Sequence, residues 1–158
     1  MFKFAKAVLL SLFLGLYALA HENLGIVKYS SVEMYEPTPM PDRIVLTWED
    51  NPATTQSITW RTDTSVKKAF VQIAVANASG RDLNPDLFEA KTLFFQSDIN
   101  QAHYHSVTIR SLNPNTLYAY RVGDGVNWSE YFHFKTASSY PEPFSFIYFG
   151  DAQNEVRT

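Results

Sequence analysis

A few side chains in this sequence have the types and spacing that chemistry uses. The first is Asp151, which follows Gly150 at the end of the apolar run Phe144-Ser145-Phe146-Ile147-Tyr148-Phe149. A glycine lets the backbone turn closely around a centre, and a carboxylate at the end of a strand suits a hard, oxygen-preferring cation such as ferric iron. Gly-Asp after an apolar run is equally an ordinary turn. The second candidate is the pair His103 and His105. Residues two apart on a strand face the same side, so both imidazoles are placed to share an ion. Metal sites use three or more ligands, and no Asp or Glu flanks the pair closely, so a polar, partly packed sheet face is the expected role. His133 lies between aromatic residues and reads as a surface or sheet-pairing residue. His21 would head a chain cut after Ala20; a terminal His can chelate copper, but its surroundings lack further ligands. Asp42 and Asp124 have no partner at a diagnostic spacing. There is no Gly-rich phosphate loop and no defensible Ser–His–Asp order.

The elements that must position these residues are short and alternating. RIVLTW (43–48) sets Ile44, Leu46 and Trp48 on one side, and QSITWRT (56–62) sets Ile58 and Trp60 inward. AFVQIAVA (69–76) places Val71, Ile73 and Val75 on one face, and KTLFFQ (91–96) is a weaker strand. HYHSVTIRSL (103–112) opposes His105, Val107 and Ile109 to Tyr104, Thr108 and Arg110. TLYAYRV (116–122) and SEYFHFKT (129–136) close the set. Seven alternating runs separated by turn signals predict an all-β antiparallel sandwich. Asn84 to Ala90 is expected to hold one turn of helix. Trp48, Trp60 and Trp128 read as core and corner residues, since aromatic rings carry much of a small core.

The N-terminus is of another kind. Residues 1–20 place Lys3 and Lys6 before an apolar stretch that ends in Ala18-Leu19-Ala20, the pattern of a signal peptide. The apolar part is shorter than the roughly 20 residues a bilayer span needs. Cleavage and a secreted or periplasmic location are therefore expected, with no membrane attachment afterwards. Residues 21–41, with three prolines in EPTPMP, read as an extended lead-in. Without Lys3 and Lys6 the remainder has 11 Lys and Arg against 16 Asp and Glu, a net of −5. That charge argues against nonspecific nucleic-acid binding. The chain has no cysteine, so an exported domain of this kind must be held by its core. Asn77-Ala78-Ser79 and Asn127-Trp128-Ser129 fit the glycosylation sequon.

In SLNPNTLYAYRVG, Leu112, Pro114, Thr116, Tyr118, Tyr120 and Val122 recur at every second position. The stretch resembles the E–F corner of a fibronectin type III (immunoglobulin-like) domain. The resemblance implies that Pro114 fixes the turn, that the Tyr118 hydroxyl bonds back to the backbone, and that Trp60 is the core tryptophan. The order of ITWRT, then HYHSVTIRSLNPNTLYAYRVGDGVNWSEYFHFKT, then a Pro-containing joint and FSFIYFGDAQ, resembles the N-terminal region of purple acid phosphatases from about Pro41 to Asn154.

That resemblance implies a fibronectin-like domain over 42–136, a joint over 137–143, and over 144–158 the truncated start of a metallophosphoesterase domain. Asp151 would then be the first-motif ligand to iron, with zinc, iron or manganese as the second metal of the intact parent. Gln153 stands where related enzymes have His or Gly and is not expected to be a ligand. The remaining motifs of the family (GDxxY, GNH, a distant His, GHxH) do not occur in this sequence. A two-metal centre holds its cations ~3.5–4 Å apart with several side chains. The resemblance therefore implies an N-terminal part, inactive alone, whose partner is the missing catalytic domain and whose intact parent hydrolyses phosphate monoesters. The alternative is a stand-alone secreted binding or adhesion module built on the same sandwich.

Overall fold

Residues of alternating polarity form strands here because every second side chain can enter a shared interior. The computed structural model describes residues 35–77 and 83–150. The expected signal peptide, most of the lead-in, His21, Asp151, Gln153 and part of the sequon at Asn77 lie outside the described residues. The chain divides after Glu36; of its first unit only Tyr35 and Glu36 are described.

The second unit is an all-β sandwich. Among the described residues it has eight strands: β1 (Asp42–Thr47), β2 (Gln56–Thr62), β3 (Phe70–Val75), β4 (Asp86–Glu89), β5 (Lys91–Gln96), β6 (Gln101–Ile109), β7 (Leu117–Gly123) and β8 (Phe132–Lys135). One sheet has the order β1-β2-β6-β5 and the other β4-β3-β7-β8. All pairings are antiparallel. The chain thus alternates hairpins within a sheet with crossings between sheets, as immunoglobulin-like sandwiches do.

The interior is filled from both sheets. Ile58, Trp60, Val71, Val122 and Ile109 are fully buried or nearly so, with Ile73, Tyr118, Tyr120 and Phe134 around them. Tyr118 stacks on Phe134 at 5.6 Å, and Tyr120 meets Phe134 edge-on at 5.8 Å. Burying such residues stabilises the fold by about 1.5–3 kcal/mol each.

Three expectations need correction. Asn84 to Ala90 holds no helix: Asp86–Glu89 is the strand β4, which continues the second sheet by pairing with Phe70–Ile73. The backbone then crosses to the other sheet at Ala90, whose N–H donates to Ala69 O at 2.8 Å. Trp48 is not a core residue. β1 ends at Thr47 and leaves Trp48 72% exposed. Ile44 and Leu46 keep the expected inward face and pack against the core, and the strand stops before Trp48 can follow them. Finally, Asp42 does have a partner. It accepts from Arg61 Nε at 2.8 Å and Nη2 at 2.5 Å across the β1–β2 pair.

Candidate functional site

The singled-out residues fall in two places: the interior around His105, and the point where the chain leaves the sandwich. On β6, His105 faces inward opposite Trp60, as its register with β2 requires. It is fully buried, and its ring lies 5.4 Å from that of Trp60. Its Nε2 bonds the Thr62 hydroxyl at 2.8 Å and its Nδ1 the Thr92 hydroxyl at 3.0 Å. Hydroxyls can donate or accept, so they satisfy a neutral imidazole of either tautomer. Burial, with a smaller effect of the neighbouring His103, pushes the His105 pKa down to about 4. His103 places Nδ1 2.7 Å from Val66 O. The two rings stand 6.2 Å apart. All nitrogens of His105 are thereby engaged within the protein. Among the described residues no group of three or more His, Asp or Glu is placed to hold a metal ion. The residues described do not fit a two-metal centre, and the pair is part of the packing. His133 is exposed on β8 opposite Ala119.

The exit is built by the turn between β6 and β7. Tyr118 is 6% exposed, and its hydroxyl accepts from the N–H of Asn113 at 2.9 Å. Pro114 is exposed in that turn, and its carbonyl accepts from the Thr116 hydroxyl at 2.8 Å. Ser111 and Asn115 adopt positive φ on either side. The turn in turn grips the end of β8. Thr136 Oγ1 donates to Asn113 O at 2.7 Å and accepts from Thr116 N at 2.9 Å. Ala137 donates its N–H to Pro52 O at 3.0 Å, and its carbonyl accepts from Asn115 N at 2.9 Å. The sequence reading missed this clamp, since a Thr and an Ala carry no spacing signal for it.

Beyond Ala137 the chain leaves the sandwich. Residues 141–150 are exposed throughout and carry no strand pairing. Among the described residues the expected strand is therefore not formed, and neither sheet includes it. Phe144, Phe146, Ile147, Tyr148 and Phe149 are each about four-fifths exposed. Five large apolar side chains are thus left in water over 144–149. At Gly150 an added Cβ would meet nothing nearer than the Tyr148 ring at 3.6 Å. The close turn a glycine permits is therefore not in use here.

Two further polar groupings are structural. Arg110 lines a cleft of about 460 Å³ beside Asp86 and Asn113, but its guanidinium is bound by Asp50 at 2.7 Å. Arg121 lies 4.7 Å from the Trp128 ring centre and 4.8 Å from that of Tyr131, and donates to Gln72 at 2.8 Å. This stack fastens the turn after β7, where Asp124 accepts from Val126 N and from both the backbone and side-chain nitrogens of Asn127.

The sandwich is similar to several solved structures. The fibronectin III domain of human contactin 1 is 14% identical, with 77% of this chain and 96% of that chain covered at a TM-score of 0.43. The third fibronectin III domain of the human KIAA0343 protein is 16% identical, with 78% and 99% covered and a TM-score of 0.38. A computationally redesigned β-sandwich protein is 23% identical, with 63% and 96% covered and a TM-score of 0.41. No curated protein matches the chain significantly. Residues 41–136 match the family model described as the purple acid phosphatase N-terminal domain. That match takes in both sheets, the Tyr118 corner and the Thr136 clamp, and on it the chain belongs to the purple acid phosphatase N-terminal domain family.

Proposed function

We propose that this chain is the sandwich part of a secreted purple acid phosphatase-like metallophosphoesterase. The segment Phe144–Phe149 would be the first strand of the catalytic domain, and Asp151 an iron ligand of its two-metal centre. The observation that carries this reading is an order along the chain. A family match over 41–136 is followed by a clamped exit and then by an apolar, strand-forming segment left in water ahead of Gly150-Asp151. Such a segment is stabilised when a sheet takes it in. In the whole enzyme, phosphate monoesters are the substrates, and iron with zinc, iron or manganese supplies the bound hydroxide. The sandwich does no chemistry. It holds the first catalytic strand at a fixed point and shapes the approach to the site.

Reading the coding DNA beyond codon 158 tests this directly. The expected result is a frame, intact or broken, that encodes the remaining ligand motifs. A gene that stops after Thr158 with no such motifs following sinks the proposal. Purified chain is expected to leave an aryl phosphate uncleaved with iron and zinc supplied, and turnover by pure material would place the chemistry elsewhere. Export is checked by N-terminal sequencing of the secreted protein, which should begin at His21.

A further inference from the structure

Of the three tryptophans, Trp60 is fully buried and Trp128 lies under the Arg121 guanidinium, but Trp48 stands 72% exposed. Its backbone is fixed all the same. Before it, Thr47 O accepts from Gln56 Nε2 at 2.8 Å. After it, Glu49 Oε2 accepts from the Thr108 hydroxyl at 2.6 Å, and Asp50 Oδ2 from Arg110 Nη1 at 2.7 Å. Asn51 closes the turn: its side chain accepts from Ala53 N at 2.9 Å, and its carbonyl from Thr54 N at 3.1 Å and Thr55 N at 2.9 Å. The same turn receives the outgoing chain, because Pro52 O accepts from Ala137 N at 3.0 Å. Four residues of backbone span at most roughly 14 Å, so Trp48 stands within that distance of Pro52.

What leaves this anchorage has little reach. Only Ser138 to Pro143 separate Ala137 from Phe144. Six residues extend at most roughly 20 Å. Pro141 and Pro143 fix their own φ and hold Tyr140 and Glu142, just before them, extended. A strand as apolar as Phe144–Phe149 lies inside its domain, so much of the joint is used in reaching that interior. A domain of about 100 residues has a radius of gyration of about 13 Å, comparable with the joint itself. The domain is thereby brought against the end of the sandwich that carries Trp48. We propose that Trp48 anchors the contact between the sandwich and the domain that begins at Phe144, which rests on the reading of that segment as the first catalytic strand. The indole fills a pocket on that domain, and the exposed Glu49, Asp50 and Arg110 form the polar rim. Tryptophan is among the residues that dominate such contacts, and one held in place beforehand loses little entropy on binding. Leu117, 48% exposed, adjoins the exit from β7, but leucine seldom dominates a contact.

The test compares the 158-residue chain with the whole protein expressed from the continuing gene, its frame restored if broken. Hydroxyl-radical labelling read by mass spectrometry should modify Trp48 in the chain and at least about fivefold less in the whole protein, as for an indole closed into a contact. Val126, 85% exposed in the turn at the far end of β7, should be labelled equally in both. Trp48→Ala should leave the melting temperature of the chain unchanged and lower that of the sandwich in the whole protein by at least about 4 °C. Equal labelling of Trp48 in the two proteins overturns the proposal and leaves the reading of Phe144–Phe149 standing. A gene with nothing after codon 158 overturns both. Protection of Leu117 with Trp48 still labelled puts the contact on the β7 side and overturns the proposal. So does protection of Trp48 in the chain alone as its concentration rises, which assigns the face to a second copy. An equal loss of melting temperature in chain and whole protein makes Trp48 part of the sandwich's own stability and overturns it too.

Discussion

At the scale of single residues, the hydroxyl of Tyr118 and the ring of His105 each do one definable thing. Tyr118→Phe keeps the ring stacked on Phe134 and removes the acceptor for Asn113 N. Loss of about 1–2 kcal/mol is expected in urea unfolding, the usual cost of deleting one partner of a buried hydrogen bond. His105 gives the domain a pH dependence. Its folded pKa of about 4 lies below the ordinary 6.5. Between those values the unfolded chain binds a proton that the folded one refuses, so stability is complete above about pH 6.5 and falls as pH drops toward 4. Melting temperature measured across that window should decline in the native protein and decline less steeply in His105→Gln. Both residues sat on legible runs of alternation, so their inward direction was readable from the sequence. The hydroxyls that hold His105 were not readable, because Thr62 and Thr92 come from strands on either side of β6 and only pairing register brings them together.

At the scale of elements, regular alternation was enough for β2, β3, β6 and β7. It failed at strand ends and in short strands. In β1 the alternation held for Ile44 and Leu46 and failed at Trp48, which lies past the strand end, and the partner of Asp42 comes from pairing with β2, which no spacing within β1 shows. The four residues of β4 are too few to show a period, and a turn of helix fitted them as well on sequence alone. The Arg61 guanidinium beneath β1 is almost fully buried, and its pKa is raised by the hydrogen-bonded Asp42 carboxylate, against the opposing effect of burial. Asp42→Ala would strand that charge and is expected to cost about 2–4 kcal/mol, less than for a fully enclosed pair because Asp42 is partly in water. Denaturant titration of the variant measures it. The β7–β8 turn has a different sensitivity. A Cβ at Gly123 would lie 2.2 Å from Asn127 O and 2.8 Å from the Trp128 ring. Gly123→Ala should therefore cost about 1–3 kcal/mol, the range for overpacking, and release Trp128 from Arg121, which its fluorescence emission would report as a red shift.

At the scale of the whole molecule, fold and family were legible because the sandwich repeats one simple signal many times. Over 141–150 the sequence showed an apolar run but not what it would rest against, because a single strand has no structure of its own without neighbours. In water that run is a liability. Replacing Phe146 and Ile147 with Asp should raise the solubility of the chain and reduce its binding of a hydrophobic dye, without changing the melting of the sandwich. A change in melting would mean that the segment packs on the sandwich after all.

The clamp at Thr136 and Ala137 has a mechanical consequence. Any tension transmitted from the downstream chain must first pull on the bonds to Pro52, Asn115, Asn113 and Thr116 before it reaches β8. Those contacts lie at one corner and share the load among the β1–β2 turn, the β6–β7 turn and the strand end. A tug that would otherwise peel β8 from β7 one pair at a time is thereby spread over three anchorages, so the domain should resist extension at its outlet better than its short last strand alone would allow.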